Sequence, residues 1–203
     1  METIEDKILE SLKKCGRGTV FFPDKFAHYS TSANIRKALE ILKAKDVIIN
    51  VARGIYCYPK IDKALGLGVI LPSVDDIVDA IAKRDHIKVV PTGVHAQNML
   101  GLSTQVPMNY VFLTNGYSKS LTVLGNIQVK FKQTSPKNIS FQNKLAMLIT
   151  YALRDYGQDN VSADQIEHIH TLLRQEPQEK VLKDLALMPV WIRNIVMQAY
   201  EQK

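Results

Sequence analysis

Between Ser30 and Tyr58 the chain alternates apolar and polar positions with two different periods. Ile35, Ala38, Leu39 and Leu42 recur at the spacing of one helical face, and Asn34, Arg36, Lys37 and Glu40 lie off that stripe. Ser30 or Ser32 is expected to cap this helix, because a short hydroxyl side chain can accept from an N–H of the first turn that has no helical partner. Two β-type runs follow, Val47–Val51 and Ile55–Tyr58, separated by Ala52-Arg53-Gly54. Gly54 suits the positive φ of a tight hairpin, and Arg53 is then carried on its tip. Upstream, Thr3 to Asp6 has the form of a capping box, and Ile4, Ile8 and Leu12 give a first helical stripe that stops at Gly16 and Gly18. Thr19–Phe22 reads as a short strand, and Pro23 opens a brief helix. The order α, β, α, α, β, β predicts a winged helix-turn-helix over residues 1–59.

Residues 60–72 read as a linker with some packing. The remainder, 73–203, reads as a second domain that mixes a small antiparallel sheet with a helical C-terminal part, so the fold class is α+β. Ser73 to Asp76 resembles another capped helix start, with Val74, Ile77, Val78 and Ile81 as its apolar face. Lys88–Val90 is a strand candidate, and a short helix is expected to run to Leu100. Asn109–Thr114, Ser120–Leu124 and Ile127–Gln133 read as three antiparallel strands, with hairpin signals at Asn115-Gly116 and Gly125-Asn126. Phe141, Leu145, Leu148, Ile149, Ala152 and Leu153 mark a long helix ended by Gly157. Helices are expected over 163–174, 178–187 and 189–200.

Composition adds charge to this picture. The chain of 203 residues carries a net charge of +6, with 46% hydrophobic and 23% charged residues, which suits an ordinary globular chain. Its distribution is uneven. Residues 1–60 hold 11 Lys or Arg against 7 Asp or Glu, and residues 86–154 hold seven bases and no acid. Two basic regions suggest a polyanion or an acidic partner. No apolar run approaches the roughly 18 residues that would span a bilayer, and the charged start is unlike a secretory signal, so a cytoplasmic location without membrane contact is expected. Cys15 and Cys57, without CxxC spacing, read as reduced thiols.

No enzyme chemistry is expected. His95 stands beside Gln97 and Asn98 but has no nucleophile or carboxylate near it in sequence, and a structural hydrogen bond is the simpler role. His168 and His170 are two apart on a helix and face different ways, so they make a poor metal pair. Asp75 and Asp76 suit the positive end of a helix, where acids are stabilised, better than a metal cluster. No glycine fingerprint for nucleotides is present, and no cofactor or metal is expected.

The exposed face of the main helix suits DNA. Ser32, Asn34 and Arg36 are the candidates for base edges, since Asn pairs with adenine and Arg with guanine. Lys37, Lys45 and Arg53 suit phosphates, and a hydroxyl at Ser30 or Thr31 can reach a phosphate near the helix start. Lys119, Lys130 and Lys132 form a second basic set. Lys130 and Lys132 alternate with Val129 and Phe131, so one strand face packs and the other is basic. They suit DNA or a protein partner.

Arg53-Gly-Ile-Tyr56 with a proline after it, Pro91-Thr-Gly-Val-His-Ala-Gln-Asn-Met-Leu-Gly-Leu102, Pro107, and a β run ending Thr114-Asn-Gly together resemble the AbiEi-type antitoxins, regulators of bacterial type IV toxin–antitoxin operons. The resemblance spans most of residues 1–150. It implies an N-terminal winged helix that binds inverted repeats in its own promoter and represses it. It also implies a second domain that neutralises a nucleotidyltransferase-like toxin. The alternatives are a solitary regulator without a toxin and a winged helix that binds protein.

Overall fold

The computed structural model describes residues 2–64 and 66–201. It is a mixed α+β fold that divides into two compact units, Met1–Asp85 with Thr122–Asn126, and His86–Leu121 with Ile127–Lys203. This division differs from the expected 1–59, 60–72 and 73–203. The difference lies mainly in the helix after the expected linker, which packs with the first unit.

In the first unit, α1 (Ile4–Cys15) begins with the Thr3–Asp6 capping box and buries Ile8 and Leu12. Strand β1 (Thr19–Phe21) and a 3-10 turn at Pro23–Phe26 lead to α2 (Ser32–Ala44). Strands β2 (Ile49–Ala52) and β3 (Ile55–Tyr58) follow, and the sheet order is β1-β3-β2, antiparallel throughout. The predicted stripe of α2, Ile35, Ala38, Leu39 and Leu42, packs with Ile8, Leu12, Phe21, Phe26, Tyr56 and Tyr58 in one core. Each fully buried Leu or Ile there contributes about 1.5–3 kcal/mol.

Every residue of β3 is buried, so the sheet is covered on both faces. Tyr56 and Tyr58 point to α1 and α2, and alternation sends Ile55 and Cys57 to the other face. There α3 (Val74–Asp85) packs against β1, which is why it belongs to this unit. Ser73 and Asp76 cap α3 reciprocally: the Ser73 backbone N–H donates to Asp76 Oδ2 at 2.9 Å and the Asp76 N–H to Ser73 Oγ at 3.1 Å. The stretch expected as a linker contains a small antiparallel hairpin, β4 (Lys60–Asp62) and β5 (Gly68–Ile70).

A four-stranded sheet is built from β6 (Val89–Pro91), β7 (Asn109–Thr114), β8 (Lys119–Val123) and β9 (Ile127–Gln133), in the order β6-β7-β9-β8, and belongs to the second unit but for the end of β8. β6 pairs antiparallel with β7, but β7 pairs parallel with β9, Tyr110 opposite Val129 and Phe112 opposite Phe131. The expected antiparallel trio is corrected on this point. Asn115-Gly116 is not a hairpin turn, because β8 lies on the far side of β9. Asn115 Oδ1 instead accepts from the Lys88 N–H at 2.8 Å, and a Cβ on Gly116 would stand 2.7 Å from Ile87 Cγ2.

Helices α4 (Gly93–Met99), α5 (Lys144–Tyr156), α6 (Ala163–Arg174), α7 (Gln178–Leu182) and α8 (Val190–Glu201) supply the second core. It joins Ala96, Leu100, Ile149, Leu153, Ile169, Leu173, Ile192 and Val196. The 178–187 helix expected from the sequence is two pieces, α7 and a 3-10 turn at Leu185–Leu187. Between them Asp184 is buried and accepts the Gln142 and Asn143 backbone N–H groups at 3.0 and 2.7 Å, fixing the entry to α5. Among the described residues no helix is long and apolar enough to cross a membrane.

Candidate nucleic-acid interface

The start of α2 is built by three consecutive hydroxyl residues with different jobs. Thr31, not Ser30 or Ser32, is the cap, and its Oγ1 accepts from the Asn34 N–H at 3.4 Å. Ser30 Oγ accepts from Asn34 Nδ2 at 3.0 Å. Ser32 is the first helical residue and is exposed. Asn34, Arg36 and Lys37 are also exposed, as alternation with Ile35 and Ala38 requires.

The β2–β3 hairpin closes through two residues, Arg53 and Gly54, between the paired Ala52 and Ile55. Gly54 has φ +71°, a left-handed conformation that a side chain would strain. The register shifts between Asn50 and Ala52, and Asn50 spans the irregularity. Its Nδ2 donates to the carbonyls of Ala52 at 2.8 Å and Ile55 at 3.1 Å. A short loop braced by a side chain holds Arg53 in a defined place.

Ser32, Ile35, Arg36, Arg53 and Gly54 line one groove of about 320 Å³, which also takes in Phe22, Asp24 and Arg84. The helix start and the hairpin tip, 17 residues apart in sequence between Arg36 and Arg53, therefore meet at one surface. Three guanidinium groups line it against one carboxylate. Planar guanidinium forks match the paired oxygens of a phosphate, and their charge does not switch off near neutral pH.

Sequence reasoning missed Arg84. It lies on α3, outside the stretch taken as the DNA-binding domain, and nothing in its local pattern points to this groove. A larger neighbouring groove of about 650 Å³, between β1 and α3, carries both signs: Asp76 and Asp79 stand there with Lys83 and Arg84. Its mixed charge suits a polyanion less well.

The remaining candidates are spread out. Lys45 is the C-cap of α2, at the opposite end from Ser32, and its charge acts on Asp6. Thirteen helical residues rise about 1.5 Å each, so Lys45 and the groove contact separate places. In the second unit, Lys130 and Lys132 project from β9 opposite Val129 and Phe131, as alternation predicts, and both are exposed. Lys119 is different: its ammonium lies 5.3 Å from the Phe131 ring centroid.

The histidines have structural contacts. His168 Nε2 lies 2.8 Å from the Leu100 carbonyl and His170 Nε2 2.9 Å from that of Ile195. His95 is buried against the edges of Tyr110 and Phe112. Among the described residues no three His, Cys, Asp or Glu side chains converge as metal ligands would.

The geometry thus defines a mixed α+β chain with an arginine-lined groove at the start of its second helix. The chain belongs to the family of unknown function DUF6088, whose profile matches residues 7–181. None of the curated proteins matches it. Among solved structures it is similar to the RV2827C protein of Mycobacterium tuberculosis, at 11% identity and a TM-score of 0.49, over 98% of this chain and 76% of that one. That likeness is too slight to bear on function.

Proposed function

We propose that residues 1–59 form a winged helix-turn-helix that binds duplex DNA, and that the chain is a transcriptional repressor of its own promoter with an antitoxin-like second domain. One observation carries the DNA reading. Arg53, on the tip of the β2–β3 hairpin, lines the same groove as Ser32 and Arg36 on α2. In a winged helix the recognition helix enters the major groove and the hairpin lies on the adjacent backbone, so a basic residue is wanted at the tip. The sheet order β1-β3-β2 behind α1 and α2 supports the same reading.

In this account Ser32, Asn34 and Arg36 read base edges, and Lys37, Lys45 and Arg53 hold phosphates. Thr31 caps α2 and Ser30 positions Asn34. Repression is steric: a protein on the promoter excludes polymerase. The antitoxin role rests on the resemblance of residues 91–102 and 107–116 to the AbiEi-type family, and Lys130 and Lys132 are the surface it offers to a toxin. Selection of duplexes from a random pool tests the DNA reading. Enrichment of one motif supports it, and an unenriched pool contradicts it.

One observation favours a protein partner as a second reading. The β4–β5 hairpin and its flanks expose apolar side chains, with Leu67 65% and Leu71 56% accessible. A two-stranded hairpin is marginal in water on its own, so a covering partner would stabilise it.

A further inference from the structure

We infer that Arg84 is a further backbone contact to DNA, contributed by α3, so that the binding surface extends beyond the winged helix into the helix that follows it. The inference rests on the DNA reading above and names a contact that reading does not contain.

Arg84 lines the groove that holds Arg36 and Arg53. Its guanidinium carbon stands 4.0 Å from the centroid of the Phe22 ring, and its Nε donates to Asp85 Oδ1 at 2.7 Å. Phe22 immediately precedes the 3-10 turn that leads to α2, so the ring ties the position of Arg84 to the same short segment. The stack engages one face of the guanidinium and the carboxylate engages Nε. Among the described residues its two Nη atoms carry no hydrogen bond, and the side chain is 39% exposed.

An arginine held in this way is prepared for an oxygen acceptor. Its planar fork presents two N–H groups side by side, and stacking has already removed much of its rotamer freedom. Arg53 stands on a braced hairpin and Arg36 on a capped helix, so all three guanidinium groups sit on ordered elements. Beside Arg36, the base-edge candidate, the fork of Arg84 suits phosphodiester oxygens, which are closely spaced and always charged. The Arg84 contact carries no base specificity, because phosphates are the same in every sequence. Lys83, one residue earlier, lines only the larger mixed-charge groove, which makes it a control on the same helix.

The test uses the full chain and a duplex that the wild type binds. Phenylglyoxal modification of the wild-type protein, read by mass spectrometry, is compared with and without duplex. The expected result is protection of Arg84 together with Arg36 and Arg53. In parallel, Arg84→Gln is expected to weaken binding to specific and shuffled duplexes by the same factor. It should also lower the slope of log affinity against log salt by about one. Lys83→Gln is expected to leave both unchanged. Protection of Arg36 and Arg53 with Arg84 modified at its original rate would overturn this inference and leave the DNA reading standing. Protection of none of the three would overturn both.

Discussion

The Asn34 side-chain amide donates to the Ser30 hydroxyl at 3.0 Å, tying a candidate base-reading residue to the turn that precedes its own helix. Its backbone N–H donates to Thr31 Oγ1. Asn34 is therefore positioned before any ligand arrives. Because Thr31 is the cap, Thr31→Ala is expected to destabilise the protein by about 1 kcal/mol, and Ser32→Ala to have no such effect. Urea denaturation of the two variants checks this. Equal losses would mean that Thr31 does not cap the helix alone.

Arg36 and Arg53 share a groove but have different expected roles. Arg36→Ala should reduce the preference for the specific duplex by about 1–3 kcal/mol, since a paired contact to a base edge is lost. Arg53→Ala should weaken every duplex equally and lower the salt slope by about one. Competition binding at several salt concentrations separates the two. Uniform weakening by Arg36→Ala would rule out base reading at that position.

Burial pushes the Cys57 thiol up from its ordinary value of 9.0 to about 11, with the nearby Asp76 charge adding to the shift. A group whose folded pKa lies above its unfolded one stabilises the fold fully below the unfolded value and loses that contribution as pH rises through the folded one. Stability should therefore fall between about pH 9 and 11 by more in the wild type than in Cys57→Ala. Cys15, by contrast, is exposed. Native protein should react quickly with a thiol reagent at one site and at two after denaturation. Rapid reaction at both sites in the native state would contradict the burial of Cys57.

Lys130 and Lys132 offer a second basic face, on β9. On the proposed toxin-docking role of this face, the double change Lys130→Glu and Lys132→Glu is expected to spare duplex binding and to weaken capture of a nucleotidyltransferase-like partner. Operator binding measured by anisotropy decides the first half. A marked loss there would assign the β9 face to DNA.

The periodic parts of the fold were legible in the sequence, and the parts decided by distant contacts were not. Ile35, Ala38, Leu39 and Leu42 gave α2 its buried face, and Gly54 marked the hairpin. Three adjacent hydroxyl residues, Ser30, Thr31 and Ser32, are equally good caps by type, and only the backbone geometry at Thr31 separates them. Asn115-Gly116 resembles a hairpin turn, yet β9 takes the place beside β7 and leaves β8 at the sheet edge. Pairing order depends on the whole sheet, which a local turn signal does not contain. The same holds for the site. Ser32, Arg36 and Arg53, which line the groove, were candidates by type and position. Arg84 was not, because its link to them runs through the packing of α3 on β1 and the Phe22 ring.

Everything proposed for α2 depends on its arginine-lined groove binding a specific duplex. A mobility-shift assay on the DNA upstream of the protein's own gene, against a shuffled control and at several salt concentrations, puts this to the test. The expected result is retardation of the upstream DNA that persists at moderate salt, when binding to the shuffled control is already lost. Equal binding to both, disappearing together as salt rises, would contradict it and leave only general attraction between a basic chain and a polyanion.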